Sequence, residues 1–430
     1  MRPLDGSVEE ALEALHGAAA PVDAGVVEEP LAPRLWRLLA AGSPVTYRVS
    51  GVSRPRLYIS GLGSRRVVSL LLGAGRDSEV YVRLIEASNK PAGLAEGGFN
   101  DYFEEVGEGL DAIHVPRIYA EDGGPYITSG VFIACLDGAC NASIHRVHVK
   151  PGGYGVVRVV PRHLYSMLKA AGRLPVAVAI GLHPLILLAA ATSPPYGVFE
   201  LGVAAALTGG LRACRTPIHG IPVPCGASYV VEGVLGERRE EEGPFVDIMG
   251  SLDRVRMEPV LRVEAVYENR VYEPYMHVIV QASEEHLTLM GLPREAMIYS
   301  YTSRIHPGVS AVRLTPGSGG WLHAVVAVSS GVSRPLAKNI ALAAFAAHPS
   351  LKTVIVVDDD IDVDNPYAVE WAIATRFQAD RDLLLVPGAR GSSLDPSAKD
   401  STTCKTALIA LRGEGPEYRR VAPWPTPWRS

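Results

Sequence analysis

The sequence predicts a mixed α+β and α/β protein of several domains, and three observations carry that expectation. The chain has 430 residues, enough for two or three domains with a sizeable buried core. From about Tyr126, β-branched runs alternate with Gly- and Pro-bearing turns, the texture of an antiparallel sheet or barrel. After about residue 260, short all-apolar runs alternate with helical ones, the texture of an α/β unit. With 47% hydrophobic and 20% charged residues, the chain is too apolar and too weakly charged to be disordered.

Residues 1–100 read as a small α/β unit. A helical start at Val8-Glu-Glu-Ala-Leu-Glu-Ala-Leu is followed by strand-like runs, Pro44-Val-Thr-Tyr-Arg-Val and Arg56-Leu-Tyr-Ile-Ser. Residues 101–262 form the β-rich section. Asp137-Gly138 between two apolar runs is a strong hairpin signal, and Gly152-Gly153 marks the next turn. A helix is expected from His163, with Gly172 as its stop. The longest apolar stretch, Pro175 to Thr192, is broken by Gly181, His183 and Pro184, so it reads as a buried element and no membrane span is expected. Residues 263–430 form a C-terminal α/β domain. It has a helix over Ala337–His348, a doubly buried strand at Thr353-Val-Ile-Val-Val and a second helix from Ala368 to Arg376. The pentapeptide Gly-Val-Ser-Arg-Pro occurs at 51 and 331, but the flanks share nothing and no repeat is inferred.

Charge and cysteine usage narrow the partners. With 46 acidic and 41 basic residues the net charge is −5, which gives no overall attraction to nucleic acid or an anionic membrane, so no nucleic-acid partner is expected. The five cysteines form an odd set without a Cys-x-x-Cys pair. They read as reduced thiols rather than a disulfide framework or zinc site, and with no leader-like N-terminus the expected location is cytoplasmic. Arginine supplies 34 of the 41 basic residues and there are two glutamines, a composition that leans toward a heat-adapted source.

Common chemical signatures are missing. Gly61-Leu-Gly and Gly73-Ala-Gly begin like a dinucleotide fingerprint but lack the third glycine, and there is no P-loop lysine motif, Gly-x-Ser-x-Gly elbow or His-Glu-x-x-His. The acidic run Asp358–Asp364 has the start of a calcium loop. However, Val363 and Val369 stand where Gly and a bidentate Glu are needed, so it reads as carboxylates at a strand end and a helix start.

Two constellations remain. Asn141, His163 and Glu200, with Arg146 nearby, offer a carbonyl oxygen, an imidazole and a carboxylate, a donor set suited to Mn²⁺ or Mg²⁺ with phosphate oxygens completing the shell. An isolated His or Asn is more often structural. The second is Glu240-Glu-Glu-Gly-Pro-Phe-Val-Asp247. On a regular strand Glu242 and Asp247 would face opposite sides, but Gly243-Pro244 breaks the regularity and allows one pocket. A carboxylate pair beside an arginine can keep one acid protonated and the other ionised. The plainer reading is a solvated charge run.

At these residues the sequence resembles the UbiD family of prenylated-FMN-dependent decarboxylases, from about Gly123 to Lys405. The resemblance rests on Asn141-Ala-Ser-Ile-His-Arg146, Pro161-Arg-His163, Ile180-Gly-Leu-His-Pro184, Glu200, Val231-Glu-Gly233, Glu242-Gly-Pro-Phe-Val-Asp247, Val357-Asp-Asp-Asp-Ile-Asp362, Trp371–Arg376 and Ser393–Ser397. It implies a divalent metal, usually Mn²⁺, on Asn141, His163 and Glu200, bridging to the phosphate of prenylated FMN, often with K⁺ nearby. Asn141, Ala142, Ser143, Ile144, His145, Arg146, Arg162, His163 and Lys405 would line the cofactor. Arg146, Glu242 and Asp247 would form the catalytic triad. The family fold implies a central split β-barrel holding the flavin and a C-terminal α/β domain that assembles dimers or hexamers. A flavin prenyltransferase would supply the cofactor.

The short chain, abbreviated N-terminal unit and thermophilic composition look most like the archaeal branch that converts trans-anhydromevalonate 5-phosphate to isopentenyl phosphate. A small phosphorylated unsaturated acid is then the expected substrate, with Arg304 or Arg313 available to anchor its phosphate. Two alternatives stay open: an aromatic acid such as a polyprenyl-hydroxybenzoate, and a flavin-binding scaffold without turnover. His145, Cys140 and Val246 depart from the common family pattern and leave the pocket's shape open.

Overall fold

The computed structural model describes residues 2–15, 17–400, 402–413 and 420–424. The chain groups into two compact units, Met1–Gly75 with Glu86–Leu289, and Arg76–Ile85 with Met290–Ser430. The first unit joins most of the N-terminal segment to the β-rich section.

In the first unit the helix Val8–Ala14 starts with a capping box, in which Ser7 and Glu10 satisfy each other's backbone N–H groups. The strands Val22–Val27, Val45–Val49 and Leu57–Ser60 make a sheet that a late strand, Tyr275–His277, completes. The Gly61-Leu-Gly63 loop turns its two glycine N–H groups onto an acidic side chain. Its two N–H groups donate to the Glu285 carboxylate at 2.7 and 2.6 Å, and His277 contacts the same carboxylate at 2.8 Å.

The β-rich section is a largely antiparallel sheet whose ladder runs open from Tyr126–Ile127 at one end to Ala139–Ile144 at the other. Asp137 and Gly138, with φ of 50° and 82°, turn Val131–Leu136 back onto Ala139–Ile144, the two-residue hairpin expected from the sequence. Two long strands, Tyr229–Glu242 and Arg256–Asn269, pair at the centre, and their register ends with Glu242 opposite Arg256. Between them, Phe245–Val246 and Leu252–Asp253 form a small ribbon with Phe245 opposite Asp253.

The apolar stretch divides into a strand, Leu174–Ile180, and a helix, Pro184–Ala191, in which every residue is buried. His183 caps this helix by accepting the Leu185 N–H at Nδ1. The helix His163–Ala171 stops at Gly172, with φ of 69°, as expected. This helix, Pro184–Ala191 and Glu200–Thr208 all pack against the strand Ala139–Ile144.

The cysteines correct the sequence reading. Cys135 and Cys140 are directly opposed in the hairpin and are disulfide-bonded, and Cys214, in the strand Leu211–Arg215, is bonded to Cys225, which directly follows the neighbouring strand Pro222–Pro224; Cys404 is free. Cross-strand neighbours need no Cys-x-x-Cys spacing, so the sequence pattern is silent about them. With four of the five thiols paired, cysteine usage does not point to a reducing compartment.

The second unit is built on a five-stranded sheet in the order Val309–Leu314, His323–Val328, Thr353–Asp358, Thr402–Ala410, Leu383–Arg390, parallel through its three central strands. Helices Arg334–Ala347 and Pro366–Arg376 connect it, as the α/β texture predicts. The acidic run does not cap the second helix; Asn365 does. Asp358 and Asp360 instead bind Arg376 at the far end of that helix, at 2.9 and 2.7 Å, and Asp360 also binds Arg412. Burial works to raise the Asp360 pKa, but the two guanidiniums pull it down to about 2.

Candidate active site

Arg146 lies in the bend between the strands Ala139–Ile144 and Val147–Lys150. Its Nε donates to Glu242 Oε1 at 2.9 Å and its Nη2 to Glu242 Oε2 at 2.8 Å, a two-pronged pair around a carboxylate with no solvent exposure. Nη2 also donates to Asp253 Oδ2 at 3.0 Å, and the guanidinium carbon stands 4.2 Å from the centre of the Phe245 ring. Burial would lower the Arg146 pKa, but Glu242 and Asp253 raise it above its usual value. Tyr126 donates to Glu242 Oε1 at 3.1 Å, and burial together with that carboxylate drives the phenol pKa up.

Asp247 follows the Phe245–Val246 strand. Its Oδ1 accepts from Met249 N at 2.8 Å and from Ser251 Oγ at 3.2 Å, so these bonds stay within its own turn and reach neither Arg146 nor Glu242. Burial is the main reason its pKa is raised, and the Asp253 charge adds to it. Asp122 fixes the strand from outside by accepting the Val246 N–H at 2.9 Å.

The second group centres on Glu200, the first residue of the helix Glu200–Thr208, where a carboxylate suits the N-terminal end. Its oxygens accept from Asn141 Nδ2 at 2.8 Å and from Ala142 N at 2.7 Å, and burial pushes its pKa up to about 7. His163 begins the neighbouring helix, is half-buried, and packs edge-on against Tyr196; burial lowers its pKa. The structure thus bonds Asn141 to Glu200 and places His163 on a helix packed against the same strand. Among the described residues no three His, Cys, Asp or Glu side chains cluster as a metal site.

The donor chemistry fits a cation. His145 Nδ1 lies 3.0 Å from the Arg158 carbonyl, which can only accept, so Nδ1 carries the proton. Burial lowers the His145 pKa to about 4, so the ring is neutral, and its Nε2 lies 2.9 Å from Ser143 Oγ. Ser143 Oγ donates to Asn141 Oδ1 at 3.1 Å, which leaves that amide oxygen a second lone pair.

Two family models match the chain: the 3-octaprenyl-4-hydroxybenzoate carboxy-lyase Rift-related domain over residues 100–284, and the corresponding C-terminal domain over 287–410. A protein of Aeropyrum pernix named anhydromevalonate phosphate decarboxylase is 46% identical over 389 residues, 88% of each chain. One of the same name from Methanothermobacter thermautotrophicus is 42% identical, over 85% of this chain and 88% of the other. The chain belongs to the UbiD family. Among solved structures, the UbiD-class enzyme HmfF from Pelotomaculum thermopropionicum in complex with FMN superposes with a TM-score of 0.89 at 32% identity over 97% of both chains. An evolved dimeric form of it in complex with prenylated FMN gives 0.86 at 30% over the same shares. The mixed α+β multidomain architecture is therefore that of UbiD-class enzymes.

The remaining site residues expected of a UbiD protein divide. Ala142, Ser143, Ile144 and His145 lie on or beside the Asn141 strand, and Arg162 directly precedes the helix of His163. Lys405 belongs to the second unit, where its ammonium donates to the Pro349 carbonyl at 2.6 Å and to that of Leu351, against the Phe345 ring. Arg313, suggested as a phosphate anchor, is buried in that unit with Asp77 at 2.6 Å, Glu295 at 3.6 Å and Asp364. Arg304 lies over the Tyr301 ring.

Sequence reasoning does not single out Asp253 or Tyr126. The alternation Asp253-Arg-Val-Arg256 is the available signal for the first. A concavity of about 460 Å³ lined by Arg2, Asp5, Glu96, Asp101 and Arg212 shares none of these residues. Its Asp5 is already engaged by Arg212 at 3.4 Å and by Tyr272 at 2.6 Å.

Proposed function

We propose that this chain is a carboxy-lyase that converts trans-anhydromevalonate 5-phosphate to isopentenyl phosphate and CO₂ in an archaeal mevalonate route, using prenylated FMN. What carries the reading is the closed Arg146–Glu242 pair on the same segment as Asp247, in a chain 46% identical to a relative bearing that activity's name. Prenylated FMN, when bound, supplies the electron sink that an α,β-unsaturated acid lacks for losing CO₂. Asn141, His163 and Glu200 would hold Mn²⁺ or another divalent ion, with K⁺ as an accompanying cation. Asn141 to Arg146, Arg162 and His163 would line the cofactor.

The chain's own residues supply orientation, dryness and a proton. Arg146 is held flat by Glu242 and Phe245 and presents its remaining N–H edge to a carboxylate. Glu242 is taken up by the two-pronged pair with Arg146 and the Tyr126 hydrogen bond. Asp247 is the better proton donor: its pKa is raised, and because Oδ1 accepts both of its hydrogen bonds, Oδ2 is the oxygen free to carry a proton. That proton goes to the carbon that has lost CO₂.

We assign residues 101–262 to a split β-barrel around the flavin, 1–100 to the N-terminal unit and 263–430 to assembly of a dimer or hexamer. A flavin prenyltransferase is the supplying partner. A cytoplasmic location accords with the absence, among the described residues, of any helix long and apolar enough to cross a membrane, and disulfides are tolerated inside cells of extreme thermophiles.

Arg146→Ala and Glu242→Gln, measured against wild type loaded by a co-expressed prenyltransferase, test the reading. Turnover should fall about a hundredfold or more in each. Wild-type rates in both would remove Arg146 and Glu242 from the catalytic machinery, no turnover in the loaded wild type would leave the chain a binding scaffold, and full activity in protein made without the prenyltransferase would remove the cofactor assignment.

A further inference from the structure

Three N–H groups of Arg146 are committed: Nε and one Nη2 hydrogen to Glu242, the other Nη2 hydrogen to Asp253. Glu242 alone would suffice for a two-pronged pair, yet a second carboxylate takes the last hydrogen of that nitrogen. Asp253 comes from the ribbon, where it stands opposite Phe245, so a single rung supplies both the ring under the guanidinium and the carboxylate at its edge. Arg256, opposite Glu242 in the long-strand register, donates to the same Asp253 oxygen, Oδ2. Acid and base therefore alternate along Glu242, Arg146, Asp253 and Arg256. Burial opposes ionisation of Asp253, but the two arginines hold its pKa below the usual value.

We propose that Asp253 is a positioning residue for the decarboxylation: by occupying the second Nη2 hydrogen of Arg146, it leaves Nη1 as the edge that meets a substrate carboxylate. This rests on the function proposed above and adds a residue to it. The ribbon also carries Asp247, so one small element sets both the orientation of the arginine and the placement of the acid. With Asp253 replaced by a neutral amide the guanidinium gains freedom to rotate in the plane over Phe245, and Nη1 ceases to be the preferred edge.

The test compares wild type with Asp253→Asn and Asp253→Glu in crystal structures of the protein and in steady-state kinetics of the cofactor-loaded enzyme. In Asp253→Asn the guanidinium should turn or split into two orientations, and kcat should fall on the order of tenfold to a hundredfold with KM changed much less. Asp253→Glu, which keeps the charge, should recover most of the loss. An unmoved guanidinium together with a kcat within about twofold of wild type overturns the proposal. So does an equal loss in both variants with Arg146 in place, which is the mark of a merely structural residue. If Asp253→Asn does not fold, Asp253→Glu decides, since a wild-type Arg146 orientation with a lost kcat contradicts the assignment. The crystallographic arm stands even where wild type shows no turnover of the assayed acid, a result that would count against the proposed function alone.

Discussion

Asn141 donates its side-chain amide to Glu200 across 2.8 Å, joining a strand of the antiparallel sheet to the first turn of a helix 59 residues further along. The Ala142 N–H reaches the other carboxylate oxygen at 2.7 Å, so consecutive residues of one strand grip both oxygens of a buried acid that has no cationic partner in these bonds. Such a carboxylate gains from a bound cation.

Glu200→Gln is therefore expected to lower the affinity for Mn²⁺ by about tenfold to a hundredfold or more, a loss seen even for groups that only support metal ligands. Metal content measured by mass spectrometry after chelation and reloading with Mn²⁺ checks this. Equal occupancy in the variant and wild type would remove Glu200 from the metal site.

The Arg146–Glu242 pair is also a structural commitment. Glu242→Ala strands a nearly buried guanidinium and should cost about 3–5 kcal/mol of stability, whereas Tyr126→Phe loses one hydrogen bond and should cost about 1 kcal/mol. Denaturant unfolding of both variants measures the ratio. Comparable losses would mean that Asp253 compensates for Glu242.

Acid should destabilise the protein through its buried histidines. Burial lowers the His183 pKa from 6.5 to about 4, and its Nδ1 must stay unprotonated to accept the Leu185 N–H. The unfolded chain binds the proton first. The stabilisation is thus fully present above about pH 6.5, is lost as pH falls toward 4, and amounts to at most about 3 kcal/mol for this group. Buried His145 shifts in the same direction. Melting temperature should drop between pH 7 and 4.5, and His183→Asn, which keeps a capping oxygen, should flatten that slope. A melting temperature that rises on acidification contradicts the assignment.

Thiol counting tests the cysteine pairs. Unreduced, denatured protein should show one reactive thiol, Cys404, and reduced protein five. Opening Cys214–Cys225 should cost about 2–3 kcal/mol, as expected for a short closed loop. Five thiols without reductant would restore the sequence reading.

The sequence disclosed local structure where one residue decides it. Asp137-Gly138 set the hairpin, Gly172 ended its helix, and Gly181, His183 and Pro184 divided an apolar run into strand and helix. The Gly243-Pro244 turn let the charge run enter the interior, but the partnership of Arg146 with Glu242 came from the family resemblance. What stayed hidden depends on register between distant segments. The opposition of Cys135 and Cys140, the seat of Glu285 on the Gly61 loop, the strand Tyr275–His277 completing the N-terminal sheet, and Asp253 at Arg146 are long-range or cross-strand facts with no local pattern. Asn141, His163 and Glu200 acquired meaning as a set only through family resemblance, since isolated residues of these types are usually structural.

The most direct test supplies trans-anhydromevalonate 5-phosphate to holoenzyme co-expressed with a flavin prenyltransferase and follows CO₂ and isopentenyl phosphate together, with an aromatic acid as the control substrate. The account predicts that both products form in equal amounts and that the aromatic acid is left intact. Loaded enzyme that releases CO₂ from the aromatic acid alone, or from neither compound, would contradict it.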